Sequence, residues 1–193
     1  TRSRVIEIPP HVLECHRVAV VANDASADAF RMLRTQLLVE LRKNRWQTLA
    51  VTSPNKGAGK STVALNLAIS IAMEYDNTVL LVDGDVAKPA LPKLIGVPES
   101  PGLLDLLTNE KLDVSDALVK TNIEKLSVLP AGTFHRRATE LLASEQMGSL
   151  LHELANRYTD RIVIFDSPPI LRTTESRVLA SRMGQIVMVV AAE

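Results

Sequence analysis

Cysteine is nearly missing from the 193-residue sequence: Cys15 stands alone, which excludes a disulfide framework and a cysteine-based zinc site. A reducing, cytoplasmic setting is the simplest expectation. Aromatic residues make up only 3%, so the core that 46% hydrophobic residues supply must be built from Leu, Val, Ile and Ala. An excess of either charge is also missing. Lys and Arg number 22, as do Asp and Glu, so no whole-chain basic field attracts nucleic acid and no such partner is expected. The four histidines, His11, His16, His135 and His152, show no metal-ligand spacing. No uninterrupted apolar run is long enough to span a bilayer, and the Arg-bearing start lacks an apolar signal core. Membrane association is therefore expected only through a partner. There are no internal repeats and no low-complexity tracts.

What is present centres on one stretch. Thr48-Leu-Ala-Val-Thr52 is β-prone, Ser53-Pro-Asn55 breaks it, and an apolar helix begins shortly after Gly57-Ala58-Gly59-Lys60-Ser61. A phosphate-binding loop needs glycine there, because its backbone N–H groups curl inward in a conformation that penalises a Cβ. Lys60 then reaches the β- and γ-phosphates, the Ser61 hydroxyl ligates Mg²⁺, and the helix adds its positive end. The pattern's first glycine falls on Pro54. A glycine-rich turn that merely precedes a helix would contain the same residues, but the strand-then-helix setting favours the loop. Lys56, Gly57, Ala58, Gly59, Lys60, Ser61 and Thr62 are the candidate nucleotide-binding residues.

The length suits one α/β domain with a short appendage: an arm and helix over 1–45, and a nucleotide-binding domain over 46–193. In the arm, Arg4 to Pro10 reads as extended and 17–22 as a short edge strand. Residues 26–43 read as an amphipathic helix with Ser26 as N-cap and Phe30, Leu33, Leu37 and Leu41 at helical spacing. Ser61 to Glu74 is apolar nearly all round, with Thr62, Asn66, Ser70 and Glu74 as one narrow polar stripe. Thr78 to Asp83 and Arg161 to Asp166 are apolar strands without alternation, the mark of burial on both faces. Between them lie helical pieces at 103–107 and 115–120, a strand at 126–129, and a helix presenting Met147, Leu150, Leu151, Leu154 and Tyr158. A helix near 175–183 and a strand at 185–191 complete the chain. Strands alternating with helices predict a mostly parallel sheet flanked by helices.

Ligands bind at the carboxyl edge of such a sheet, which gathers Lys60, Asp83, Asp85 and Asp166. Asp166 suits a carboxylate that fixes Mg²⁺. Asp83 and Asp85, two residues apart, project to the same side of an extended segment. A lone Asp after a strand often caps the next helix; three beside a phosphate loop favour phosphoryl transfer, which needs charge neutralisation and a group orienting the attacking oxygen.

Through Gly57-Ala-Gly-Lys-Ser61, Val79-Leu-Leu-Val-Asp-Gly-Asp85 and Ile162-Val-Ile-Phe-Asp-Ser-Pro-Pro169, the sequence resembles the bacterial tyrosine kinases of the capsule and exopolysaccharide type. These are a P-loop branch close to the septum-site and plasmid-partition ATPases. The resemblance runs from about Ala27 to Ala192. It implies an ATP-dependent protein-tyrosine autokinase that uses Mg²⁺ and controls polysaccharide synthesis or export. In it Lys60 and Asp83 are catalytic, with Asp83 deprotonating or orienting the tyrosine hydroxyl. Ser61, Asp85 and Asp166 hold the metal, and Thr62 contacts the α-phosphate. Asp28-x-x-Arg31-x-x-Arg34 resembles the family's Glu-x-x-Arg-x-x-Arg oligomerisation motif, with Asp for Glu, and implies a homo-oligomeric ring. A transmembrane polysaccharide co-polymerase or adaptor is the implied partner, holding the chain at the inner face of the plasma membrane. Ala87 stands where the family often has Arg, leaving Lys88 as the nearby cation. The partition ATPases' signature Lys falls on Asn55, one residue from Lys56. The family's Tyr-rich tail has no counterpart here. Tyr75 and Tyr158 read as packing residues, and C-terminal truncation, or a tail outside the sequence, is expected. Two other readings stay open: a nucleotide-dependent switch controlling oligomerisation, and a scaffold that has lost turnover.

Overall fold

A strand with no polar face must be covered on both sides. The computed structural model describes residues 4–15, 25–99, 101–157 and 159–191, and it meets that demand with one seven-stranded sheet between two helical layers. The strands are β1 (Arg4–Ile6), β2 (Thr48–Thr52), β3 (Thr78–Asp83), β4 (Val119–Thr121), β5 (Leu126–Leu129), β6 (Arg161–Asp166) and β7 (Gln185–Met188). The helices are α1 (Pro10–Cys15), α2 (Ala25–Asn44), α3 (Lys60–Ala72), α4 (Leu91–Ile95), α5 (Leu103–Thr108), α6 (Val114–Ala117), α7 (Ala138–Ala143), α8 (Glu145–Asn156) and α9 (Thr174–Ala180). Strand order is β1-β4-β5-β3-β6-β2-β7, and all neighbours are parallel except β4 and β5.

The period of two along each central strand separates the core into two halves. Leu49, Val51, Val79, Leu81, Ile162 and Ile164 face one layer, where they meet Leu37, Leu38 and Leu41 of α2 and Leu65, Leu67 and Ile71 of α3. Ala50, Leu80, Val82, Val163 and Phe165 face the other, against Leu103 and Leu104 of α5, Leu142 of α7, Met147 and Leu154 of α8 and Leu179 of α9. Every residue of β6 is buried. That strand lies between β3 and β2, so the strands ending at Asp83 and at the phosphate loop flank the one ending at Asp166.

Several local expectations are corrected. Helix α2 starts at Ala25, so Ser26 lies inside its first turn rather than at its N-cap. Helix α3 runs from Lys60 to Ala72 rather than over 61–74, and two members of its polar stripe, Asn66 and Ser70, are fully buried. The reason is α2: Arg34 donates to the Ser70 carbonyl at 2.9 Å and pairs with Glu74 at 2.6 Å. The helix expected at 115–120 is the single turn α6 followed by β4. With only residues 122–125 between them, β4 and β5 can pair only antiparallel, and three residues with Lys120 exposed carry too little pattern to be read beforehand. The helix before residue 158 is two, α7 and α8, divided at Ser144, whose Oγ accepts from the Met147 amide at 3.2 Å. Strand β7 stops at Met188 and α9 at Ala180. Tyr75 is 94% exposed and is no packing residue. The strand expected at 17–22 and the packing role of Tyr158 lie outside the described residues. Among the described residues no helix is long and apolar enough to cross a membrane.

Candidate active site

β2 delivers the chain to the carboxyl edge, where Ser53 begins the turn and its Oγ donates to the Asn55 carbonyl at 2.6 Å. Gly57 and Gly59 hold φ of 81° and 85°, a region that side chains disfavour. A Cβ at either would meet nothing within 4 Å. Backbone conformation rather than crowding therefore demands glycine. Gly59 is the N-cap of α3 and makes no side-chain cap bond; the first amides of this helix are donors that an anion can satisfy.

Lys60, with its side chain 13% exposed, stands between the carboxylates. Its Nζ lies 3.4 Å from Asp85 Oδ2, 3.7 Å from Asp166 Oδ1 and 3.5 Å from Ser61 Oγ. Asp166 is fully buried, and neither of its oxygens accepts a hydrogen bond of normal geometry. Burial pushes its carboxyl up to about 6, against the downward pull of Lys60 and of the Ser61 hydroxyl. Asp83 sits in register with Asp166 on the neighbouring strand and is equally buried. Its Oδ2 accepts from the Leu91 amide at 3.0 Å while Oδ1 has no partner. Burial first, and then the charge of Asp166, push its carboxyl up to about 7.

Asp85 reaches the same place by a different route. β3 ends at Asp83, and Gly84 donates its amide to the Asp166 carbonyl at 2.9 Å. A Cβ on Gly84 would lie 3.1 Å from that oxygen, so the absent side chain lets the two strand ends close up. Asp85 Oδ1 then accepts from the Lys88 amide at 3.2 Å. The carboxylates of 83 and 85 are thus not equivalent: one is sealed in the core, the other faces Lys60. On the loop side, Lys56 is held below its ordinary pKa by Lys88 beside it, with Arg172 contributing. No motif in the sequence points to Arg172. It lies beyond the Pro168-Pro169 turn, which crosses back over β2 through Thr52 Oγ1 to the Pro168 carbonyl at 2.8 Å and the Ile170 amide to the Ser53 carbonyl at 2.9 Å. Only that crossing signals its position.

The structure brings Lys60, Ser61, Asp83, Asp85 and Asp166 together and leaves Asp28, Arg31 and Arg34 elsewhere, on α2. Asp28 and Arg31 pair with each other along the helix, and Arg34 is engaged with α3. Orphaned carboxylate oxygens beside an ammonium, next to a helix N-terminus without a side-chain cap, fit a divalent cation bound with a polyphosphate. Asp85, Asp166 and Ser61 are the oxygen donors such a hard cation takes.

Fold and site together define a P-loop nucleotide-binding domain of the phosphoryl-transfer class. Residues 46–192 match the family described as AAA domain. The protein CapB of Staphylococcus aureus is 32% identical over 167 residues, 86% of this chain and 72% of its own length. The tyrosine-protein kinase Wzc of Salmonella typhi is 31% identical over 166 residues, 86% of this chain but 22% of its own length. The kinase domain of the Escherichia coli tyrosine kinase ETK superposes with a TM-score of 0.81 at 27% identity, covering 98% of this chain and 70% of that one. The septum site-determining protein MinD of Pyrococcus horikoshii, complexed with Mg-ADP, matches at TM-score 0.58 and 26% identity, covering 74% of this chain and 57% of that one. The chain belongs to this AAA-domain family of P-loop proteins, in its bacterial tyrosine-kinase branch.

Proposed function

We propose that this chain is the catalytic domain of an ATP-dependent protein-tyrosine kinase acting in capsule or exopolysaccharide synthesis and export. The observation that carries the reading is the carboxylate pair on adjacent strands, Asp83 and Asp166, with Lys60 set between Asp166 and Asp85. A second carboxylate beside the metal-binding ones supplies the group that orients an attacking hydroxyl, a part of phosphoryl transfer that nucleotide binding alone does not need. Lys60 and the amides of residues 57–62 bind the phosphates and neutralise charge on the transferred group. Asp83, its carboxyl raised to about 7, is the group that orients a tyrosine hydroxyl and accepts its proton. Because it is fully buried, this role requires Oδ1, the oxygen without a partner, to be uncovered when the acceptor binds. Thr62, at the start of α3, contacts the α-phosphate. Asp85, Asp166 and Ser61 would hold Mg²⁺, which would supply charge stabilisation to the phosphoryl oxygens.

The exposed pair of Asp28 and Arg31, together with Arg34, forms part of a homo-oligomeric contact in this reading. A transmembrane polysaccharide co-polymerase would hold the assembly at the inner face of the plasma membrane. Incubating the full-length gene product with ATP and Mg²⁺ and probing for phosphotyrosine tests the proposal. Label appearing on tyrosine, and lost in Lys60→Met, supports it. Label appearing only as inorganic phosphate makes the protein a nucleotide-driven switch instead.

A further inference from the structure

The opposite rim of the sheet carries a second cleft. Residues that lead into β2, β3 and β6 line it together with the end of α2, and its volume is about 570 Å³, within the range of small-ligand sites. Trp46 is on its wall, 41% exposed. The indole is given room by Gly184, where a Cβ would lie 2.5 Å from Trp46 Cγ. Asn77 also lines it, 5% exposed, with its Nδ2 fully buried and lacking an acceptor. Arg42, Arg45, Asp76 and Asp160 are the charged members of the lining. Neither arginine forms an ion pair among the described residues, although two carboxylates share the cleft.

Arg45 is the unusual member. Helix α2 ends in a turn where the Arg45 amide donates to the Arg42 carbonyl at 3.2 Å and the Trp46 amide to the Leu41 carbonyl at 2.9 Å. The residue at the 45 position of such a turn is left-handed and usually glycine; here it is arginine at φ 57°. Non-glycine residues held in that region collect at ligand clamps, where the surroundings impose them. This one adds a guanidinium to the lining of a cleft that already holds an indole and two carboxylates.

We propose that this cleft binds a sugar ring carrying an acidic group, a uronic acid or a sugar phosphate. The indole takes the apolar C–H side of the ring, as flat aromatic surfaces do. Asp76 and Asp160 accept from ring hydroxyls. Arg42 and Arg45 present planar donor forks that match a carboxylate or phosphate. The site is independent of the phosphate loop, which lies on the other edge of the sheet.

Trp46 is the single tryptophan of the sequence, so its fluorescence reports occupancy directly. The 193-residue chain is titrated with glucuronic acid, glucose 6-phosphate and glucose. A saturable change at about millimolar concentration or below is expected with the acids, and at least about tenfold weaker binding for glucose, since charge-assisted hydrogen bonds are lost. Whichever acid binds more tightly identifies the anionic group. Arg45→Gly is expected to weaken acid binding by about tenfold or more with an equal or higher melting temperature, because glycine suits that backbone. Arg42→Gln is expected to weaken binding likewise, and Lys60→Met to leave it unchanged. No saturable response to either acid, equal affinity for glucose, unaltered binding in Arg45→Gly, or loss in Lys60→Met each overturns the proposal.

Discussion

Asp83 and Asp166 are raised to about 7 and about 6, burial being the leading cause in each, with the Asp166 charge adding to the rise at Asp83. An aspartate in the unfolded chain titrates near about 4. Between that value and the folded one, the native chain keeps protons that the unfolded chain has released, so stability falls as pH rises through the window. The chain without metal or nucleotide is therefore expected to melt at a lower temperature at about pH 8 than at about pH 6. Asp83→Asn should flatten that slope, and scanning calorimetry at both pH values reads it; a wild-type melting temperature that climbs over the interval would contradict the burial argument. Lys60 is the compensating charge for Asp85 and Asp166. Its replacement by Met should lower tyrosine phosphorylation by about 10²–10³-fold or more, the effect of losing one preorganised charge-stabilising donor, measured by radiolabel transfer at saturating nucleotide.

Helix α2 shows why identical residue types three apart have different worth. Arg31 pairs with Asp28 on the outside, where side-chain exposures are 38% and 71%, and such pairs contribute little. Arg34, its side chain 17% exposed, ties α2 to α3 through the Ser70 carbonyl and Glu74. Arg34→Ala is expected to lower stability by about 1.5–3 kcal/mol, the range for hydrogen bonds to charged groups, and Asp28→Ala, which removes only the exposed pair, by no more than about 0.5 kcal/mol. Urea unfolding separates the two. If the exposed pair contributes to an oligomer, Asp28→Ala alone shifts the mass seen by light scattering towards the monomer while leaving the unfolding midpoint in place. An unchanged mass rules the pair out as a contact. A combined change at 31 and 34 would confuse assembly with folding, because Arg34 has work inside its own chain.

For the whole molecule, the expected signature is linkage. A ligand that binds only the folded chain adds about 2.7 kcal/mol at about 100 times its dissociation constant. Mg²⁺ with ATP should therefore raise the melting temperature of the wild type by several degrees and that of Lys60→Met much less. The gain should be larger near pH 8 than near pH 6, because metal binding needs the ionised carboxylates that apo folding disfavours. A thermal shift without this dependence would remove Asp166 from the metal site.

The primary structure alone determined the loop, the buried strands and the acids that end them. Those features are local: glycine is needed where φ is positive, an unbroken apolar run declares burial on both faces, and a polar residue marks where such a strand leaves the core. It could not say that Arg34 turns inward, that Tyr75 is solvated, or that three residues before β5 pair antiparallel to it. Nor could it say that Asp83 would be sealed while Asp85 stays beside Lys60. Tertiary structure decided these, because strand order places β6 between β3 and β2, and neighbours in a sheet are chosen by packing across both faces. No periodicity within a single element records that choice.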